Sequence, residues 1–374
     1  MKKVGILGGG QLGRMLLQVA ANYPVETYIL ENDVDCPAAH LCHHFIKGDI
    51  NHYETVYQFG KMVDVLTIEI EHVNIEALQQ LEEEGLTVIP NTKSLKIIKD
   101  KVLQKEFYKK NEIETSDFII TSNQSDLHQH LDFLPAVHKL GSGGYDGKGV
   151  QLIHNAQDIN KGFNQPAVLE KMVSIQKEIA IMVAVDCNGQ MVTYPAVDMV
   201  FDPQLNLLDY QLAPATLSTP ILEKAKQLAI NVVQGLNSAG VFAVELFVNE
   251  ANEVLVNETA PRVHNSGHHT IEANYASQFD MLWRILLQYP LGNPAAILPA
   301  AIVNIVGEPN FSGEAVYEGL ETLLQMNNLF VHLYGKKFTK PGRKMGHVTI
   351  IGNDQNQLIE QIKWVKNTLK VKSK

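Results

Sequence analysis

Residues 136–153 read AVHKLGSGGYDGKGVQLI. Four glycines fall in the seven positions GGYDGKG at 143–149, between two short apolar runs, AVHKL and GVQLI. The amides of such a turn can wrap a phosphate chain. A P-loop would read G-x-x-x-x-G-K-[ST] and open a helix. Here no Ser or Thr follows Lys148, and the next residues, Gly149 to Ile153, suit a strand. The pattern is strand, glycine loop, strand. It predicts a flap over a nucleotide, with Lys139 at the end of the first strand and Lys148 in the loop set to neutralise phosphates.

Upstream, KKVGIL (2–7), a helix over RMLLQVAANY and ETYILE (26–31) form a βαβ start, hence a parallel sheet. VDVLTIEIE (63–71) and GLTVIP (85–90) read as further strands, with IEALQQLEEE as a helix between them. SLKIIKDKVLQKEFYKKN (94–111) has the period of one helix. Downstream, AVLEKMV (167–173) and KEIAIMVAVD (177–186) read as strands, and PILEKAKQLAINVVQGLN (220–237) as an amphipathic helix. GVFAVELFVNEANEVLVNE (240–258) reads as a hairpin. The tail alternates short strands (AIVNIVG, FVHLYG, MGHVTIIG) and ends in the helix QNQLIEQIKWVKNTLK.

The 374 residues are 45% hydrophobic and 19% charged, with a formal net charge of -10. No basic stripe interleaves with aromatics, which argues against a nucleic-acid partner. Cys36, Cys42 and Cys187 form no C-x-x-C, which suits a reducing cytoplasm. Cys36 and Cys42 lie near His40, His43 and His44, but their spacing matches no zinc pattern. MKKVGILGGG reads as an opening strand rather than a signal peptide, and no apolar run approaches the ~20 residues of a membrane span.

Two further constellations carry chemistry. Gly8, Gly10 and Gly13 fit G-x-G-x-x-G, with Glu31 ending the second strand. That pattern admits a dinucleotide, any other phosphate, or a tight turn with no ligand. Glu245 sits inside the apolar strand VFAVELFV, where a carboxylate is costly without a cation. With the hairpin turn centred near 251 or 252, Glu245 falls opposite Asn257 or Glu258, an oxygen-rich face suited to Mg²⁺ and nucleotide phosphates. Between these, Glu170, Lys171, Met172 and Val173 form a strand exit whose backbone can read an adenine edge, and Glu178 could take ribose hydroxyls. TAPRVHNSGHHT (259–270) then gathers Arg262, His264, Asn265, Ser266, His268 and His269, a set suited to an anion or substrate beside the metal.

Together GGGQLGRM, IEIEHV, GGYDGKG, VELFV…VNETAPRVHNSGHHT and YGK-x-x-x-x-PGRKMGHV resemble, in the same order, the motifs of the ATP-grasp superfamily. Within it they are similar to the 5-(carboxyamino)imidazole ribonucleotide synthetases, biotin-independent carboxylases of purine synthesis. The resemblance covers essentially the whole chain. It implies an α/β and α+β fold: a Rossmann-like pre-ATP-grasp domain (1–93), an ATP-grasp (94–298), and a small β-rich domain (299–374). The grasp divides into a lid over 112–170 and a catalytic part over 171–298.

The resemblance also implies roles. Lys101, Lys139 and the loop Gly143, Gly144, Tyr145, Asp146, Gly147, Lys148 and Gly149 would hold ATP phosphates. Glu170, Lys171, Met172, Val173 and Glu178 would bind adenosine, and Glu245 and Glu258, beside Asn257, two Mg²⁺ ions. Gln11 and Leu12 in the substrate turn, Glu71 in an acidic partner strand, Asn265, Ser266, Lys336 and Arg343 would contact 5-aminoimidazole ribonucleotide, with GGGQLG as its phosphate site. Arg262, His264 and Lys344 would serve bicarbonate and proton transfer. A homodimer is implied in the same way. The chain departs from the family pattern at Leu140, Gly141, Val150, Met199 and Phe201. The competing readings are another ATP-grasp carboxylate–amine ligase such as a formate-dependent purine transformylase, a dehydrogenase, and a non-catalytic nucleotide sensor.

Overall fold

The N-terminal apolar runs pair in parallel. Lys2–Leu7 lies between Val25–Glu31 and Val65–Ile68, with His44–Lys47 and Thr87–Ile89 at the edges. This is a computed structural model, and it describes residues 1–144, 149–202 and 207–374. Tyr145, Asp146, Gly147 and Lys148 lie outside the described residues. The third expected strand is shorter than its apolar pattern: it stops at Ile68, and Glu69 to Glu71 follow in a bend. Glu71 is therefore a bend residue rather than part of a strand.

The helix Gln11–Ala20 buries Leu12, Met15, Leu16 and Leu17. This face shares one core with the helix Gln278–Leu286, where the Trp283 indole N–H donates to the Leu16 carbonyl at 2.7 Å. Each large apolar side chain buried there contributes about 1.5–3 kcal/mol, so the N-terminal sheet is fastened to the body of the chain by its core.

The central sheet has nine strands. In spatial order they run Val254–Ala260, Gly240–Asn249, Ile175–Val185, Val197–Asp202, Leu207–Ala213, Ala300–Val306, Lys344–Ile351 and Leu329–Leu333, with Met191–Thr193 paired to Ile175–Val185. Three strands after residue 299 thus continue the sheet that carries the hairpin, while Phe338–Thr339, Gly313–Glu318 and Lys370–Ser373 form a small sheet of their own. Helix Thr219–Leu236 packs against the hairpin and its neighbour through Ala225, Leu228, Ala229, Val232 and Val233.

A separate four-stranded antiparallel sheet orders Phe118–Thr121, Ala167–Lys171, Ala136–Leu140 and Val150–Ile153. Lys139 pairs with Val150, so the glycine loop closes a hairpin, as its flanks predict. The nucleotide-sized cleft lies between this sheet and the nine-stranded one.

Three helix expectations change. The first helix begins at Gln11 rather than Arg14 and ends at Ala20, so Gln11 and Leu12 form its first turn. Residues 94–111 form two helices, Thr92–Lys99 and Lys101–Lys110, broken at Asp100. Asp100 is extended (φ -115°, ψ 118°), and its carboxylate accepts the Val102 and Leu103 N–H groups at 2.8 and 3.1 Å. The 3.6-residue period runs through the break, so pattern alone hid it; local capping won. The last helix ends at Thr368, and Lys370–Ser373 pairs as a strand with Gly313–Glu318, burying Val371. Among the described residues no helix is long and apolar enough to cross a membrane.

Candidate active site

The hairpin register builds the centre of the site. Phe247 pairs with Leu255 and Leu246 with Val256, but Glu245 pairs with Glu258. Asn257 is the extra residue of a β-bulge. Without it Glu245 would face Asn257, and Glu258 would turn to the opposite face of the sheet, because a one-residue slip reverses every side chain. The bulge brings both carboxylates to the cleft face.

Cations from two other elements meet them. The break at Asp100 starts a helix at Lys101, whose ammonium pairs with Glu258. Lys139 reaches across from the four-stranded sheet to donate to Asn257 Oδ1 at 2.8 Å. Lys101 holds the Glu258 carboxyl below its ordinary value, while burial and the Glu258 charge push Glu245 up. Glu245 is left short of a cation, with His264 Nε2 at 3.7 Å. Among the described residues no group of three His, Cys, Asp or Glu side chains gathers as a metal site. A carboxylate pair completed by phosphate oxygens and water suits Mg²⁺, which seldom takes an all-protein cage.

Two cavities meet at this pair. The larger, about 540 Å³, is an apolar slot between Val150 and Leu152 on one side and Met199, Phe201 and Leu208 on the other. Three of the departures from the family pattern, Val150, Met199 and Phe201, therefore line the slot. Met172, Val173, Glu178 and Lys139 lie at its polar margin. The smaller, about 400 Å³, opens toward the N-terminal sheet through Glu71, His72, Lys99 and Arg262, and Gly143 and Gly144 lie over it. Lys101, Val150, Glu245, Glu258 and His264 line both.

Gly141, another departure, has a steric reason. A Cβ there would lie 2.8 Å from the Pro166 carbonyl, and the Gly141 carbonyl accepts the Lys101 N–H at 2.7 Å. The close approach anchors the helix that presents Lys101.

Several expected residues take partners that the sequence did not show. Arg262 and Glu71 form a two-point pair, Nε to Oε2 at 2.6 Å and Nη2 to Oε1 at 3.1 Å, joining the hairpin's exit to the N-terminal sheet. Burial would raise the Glu71 carboxyl, but the guanidinium reverses this and holds it down to about 2. His264 accepts the Ser266 N–H at Nδ1, which leaves Nε2 to carry the proton toward Glu245. Burial, Arg262 and Lys344 push this imidazole down to about 3, so it stays neutral near pH 7 and acts as a donor rather than a proton store. Ser266 is fully buried and fixes His264 instead of facing the cleft. Asn265 lines the larger cavity, and both polar atoms of its side chain are buried without a hydrogen-bond partner. His268 and His269 are buried in the core behind the site.

Lys336 bridges Gln11 Oε1 and the Lys344 carbonyl, both at 2.7 Å, and Lys344 lines the larger cavity. Arg343 donates to the Phe338 carbonyl at 2.7 Å and lines neither cavity. The Lys171 ammonium turns to the Phe133 carbonyl at 3.0 Å. Glu170 is 3% exposed, with its carboxylate engaged by Lys105 and Lys139, so at this strand exit Met172, Val173 and the backbone are left to meet a base.

The glycine turn at Gly8 to Gly13 differs from the expected phosphate site. The Gly10 and Gly13 N–H groups each donate to one oxygen of Glu69 at 3.0 Å, and Gly9 N–H to Glu31 at 3.1 Å. A Cβ on Gly8 or Gly10 would lie 2.6 or 2.8 Å from the Glu69 side chain. The turn carries its own acceptor, a carboxyl that burial pushes up against the pull of the Gly10 and Gly13 N–H groups, and this leaves the N–H groups of Gln11 and Leu12, which the first turn of a helix does not satisfy internally. Sequence reading missed Glu69 and Lys105. Lys105 could have been found: Lys101, Lys105 and Tyr108 share a helix face at i, i+4 and i+7.

Both the cleft between two antiparallel sheets and the carboxylate pair define an ATP-grasp protein. Residues 106–279 match the ATP-grasp domain, residues 1–99 the ribonucleotide synthetase preATP-grasp domain, and residues 300–361 the phosphoribosylaminoimidazole carboxylase C-terminal domain. The chain belongs to the N5-carboxyaminoimidazole ribonucleotide synthase family. It is 32% identical over 361 residues to the synthase of Staphylococcus aureus, covering 95% of this chain and 94% of that protein. It superposes on the Thermotoga maritima synthetase crystal structure with a TM-score of 0.93 at 36% identity, covering all of both chains. A synthase from Aspergillus clavatus, solved with ADP and 5-aminoimidazole ribonucleotide, gives 0.89 at 30% identity, covering 98% of each chain. The chloroplastic phosphoribosylaminoimidazole carboxylase of Vigna aconitifolia, 33% identical over 95% of this chain, is longer, and the chain spans 65% of it.

Proposed function

We propose that the chain converts 5-aminoimidazole ribonucleotide, ATP and bicarbonate to N5-carboxyaminoimidazole ribonucleotide, ADP and phosphate. The observation that carries this reading is the meeting of the two cavities at Glu245 and Glu258: an apolar, base-sized slot on one side, and on the other a smaller chamber walled by Glu71, Arg262 and His264.

Bicarbonate is a poor electrophile. Transfer of the γ-phosphoryl group to one of its oxygens gives carboxyphosphate and ADP. Carboxyphosphate then breaks its carbon–oxygen bond to phosphate, releasing CO₂ and phosphate in the closed chamber, and the exocyclic amine of the ribonucleotide attacks the CO₂ carbon and loses a proton. Lys101, which lines both cavities, and Lys139, at the larger one, would flank the γ-phosphate and offset its developing charge. Glu245 and Glu258 would hold Mg²⁺, which when bound neutralises phosphate oxygens. Arg262, oriented by Glu71, and the His264 Nε2–H present fixed donors to a small anion in the chamber. Asn265 offers an unmet amide to the same cleft. Gly143 and Gly144 lie over the smaller chamber and would limit the entry of water, in which carboxyphosphate is short-lived.

The test is phosphate release by purified protein with Mg-ATP and bicarbonate, with and without 5-aminoimidazole ribonucleotide. Release that requires the ribonucleotide supports the reading. Release that ignores it, or needs formate, assigns the cleft to another ATP-grasp ligase.

A further inference from the structure

One buried cation has no place in the reaction as described. Lys105 is 2% exposed and lines neither cavity. Burying an unpaired ammonium costs several kcal/mol, so its partners are informative. Its Nζ lies 3.0 Å from Glu170 Oε2, 2.5 Å from Thr115 Oγ1 and 3.4 Å from Ser116 Oγ. The other Glu170 oxygen lies 3.1 Å from Lys139 Nζ, and Ser116 Oγ donates to Glu170 at 2.7 Å. One carboxylate is thus shared by two lysines. Lys139 faces the nucleotide slot, and Lys105 is sealed behind it.

The charges decide what this arrangement does. Glu170 and Lys139 alone would sum to zero, and the carboxylate would draw the Lys139 ammonium back from the cleft. With Lys105 present the three groups carry a net charge of +1, and the unbalanced charge is the one at the cleft. We propose that Lys105 is a positioning residue that neutralises Glu170 from behind, so that Lys139 keeps its charge for the nucleotide phosphates. This rests on the reading of the larger cavity as the nucleotide site. The same geometry gives Glu170 a purpose other than contact with adenine.

The test measures ATP binding by titration calorimetry, together with kcat and the KM values of ATP and 5-aminoimidazole ribonucleotide. It uses the full chain and the variants Lys105→Met, Glu170→Gln and the two combined. Lys105→Met should weaken ATP binding about tenfold, the size of one charge-assisted contact, and leave the ribonucleotide KM within about twofold. Adding Glu170→Gln to Lys105→Met removes the stranded carboxylate and should tighten ATP again, by about fivefold over the single variant; packing damage alone would instead accumulate. Should Lys105→Met fail to fold, Lys105→Gln, which keeps a donor for Thr115 and Ser116, takes its place in both variants. Unchanged ATP binding in the single variant, or a double variant no tighter than the single, overturns the proposal. A wild-type chain that binds no ATP overturns the nucleotide reading as well, and the two failures are told apart by that control.

Discussion

The glycine turn near the N-terminus and the carboxylate hairpin are both charged sites built on strands, and they close differently. At the turn, the N–H groups of Gly10 and Gly13 meet the two oxygens of Glu69, so donor and acceptor balance inside the fold. At the hairpin, two carboxylates face each other, Lys101 pairs with one, and the imidazole nearest Glu245 stands off at 3.7 Å. The first matches a ligand motif by spelling and is largely satisfied. The second has no short motif and remains short of charge. A ligand site is marked by the charge that the protein leaves unbalanced, not by the pattern of its glycines.

The largest effect that would break this comparison is at the hairpin. We expect Glu258→Ala to lose on the order of 10³-fold in Mg²⁺-dependent phosphate release while the thermal unfolding transition persists. Near-normal turnover would remove the metal assignment.

Acid sharpens the contrast next. His138, His264 and His269 are pushed down to about 4, 3 and 4, and His268 and His347 well below the ordinary histidine value, mainly by burial. All belong to the grasp and the C-terminal strands; the N-terminal sheet buries none. A histidine whose folded pKa is depressed binds its proton preferentially when unfolded. Its stabilisation is therefore full above about pH 6.5 and falls as pH drops toward the folded value, by up to about 1.4 kcal/mol per pH unit for each. We expect Tm to decline from pH 6.5 to 5, above the range in which depressed carboxylates such as Glu71 begin to cost stability, and His269→Gln to flatten the slope. Hydrogen exchange should report the loss in the nine-stranded sheet first.

At the turn, Glu69→Gln keeps the shape but offers a single acceptor oxygen to two N–H donors and sets its NH₂ against one of them. We expect about 1–3 kcal/mol less stability in urea unfolding, with ATP affinity unchanged. A loss of ATP binding would join two regions that the comparison separates. Smallest, Asp100→Ala removes a helix cap and should cost about 1 kcal/mol, with a modest rise in the KM of ATP as Lys101 loses its anchor.

The sequence made much of this legible, and the limits are physical. The strands around the glycine loop and the hairpin could be read because period-two apolar runs end at turn residues. Counting back from the turn gave Asn257 or Glu258 opposite Glu245, but not which: that depends on a bulge, one unpaired residue with no compositional mark. Asp100 was invisible as a cap because it stands in a polar run within a continuous helical period. Glu69 passed as one residue of an expected strand and Glu170 as part of a strand exit, since their partners lie 56 to 59 and 31 to 65 residues away in sequence, a separation set by tertiary packing. Pairing of Arg262 with Glu71, 191 positions apart, was hidden for the same reason.

One architectural fact also fixes how the cleft can open. Glu245, Glu258, Glu178 and Lys344 all ride on one hydrogen-bonded sheet of nine strands, whereas Lys139 rides on the sheet of four. The larger sheet is a ruler and the smaller a jaw. Any movement of one sheet against the other would leave the spacing among the first four groups nearly constant and lengthen the 2.8 Å span from Lys139 to Asn257. A pair of spectroscopic labels placed across that span would read the jaw, and a pair placed along the ruler would stay still.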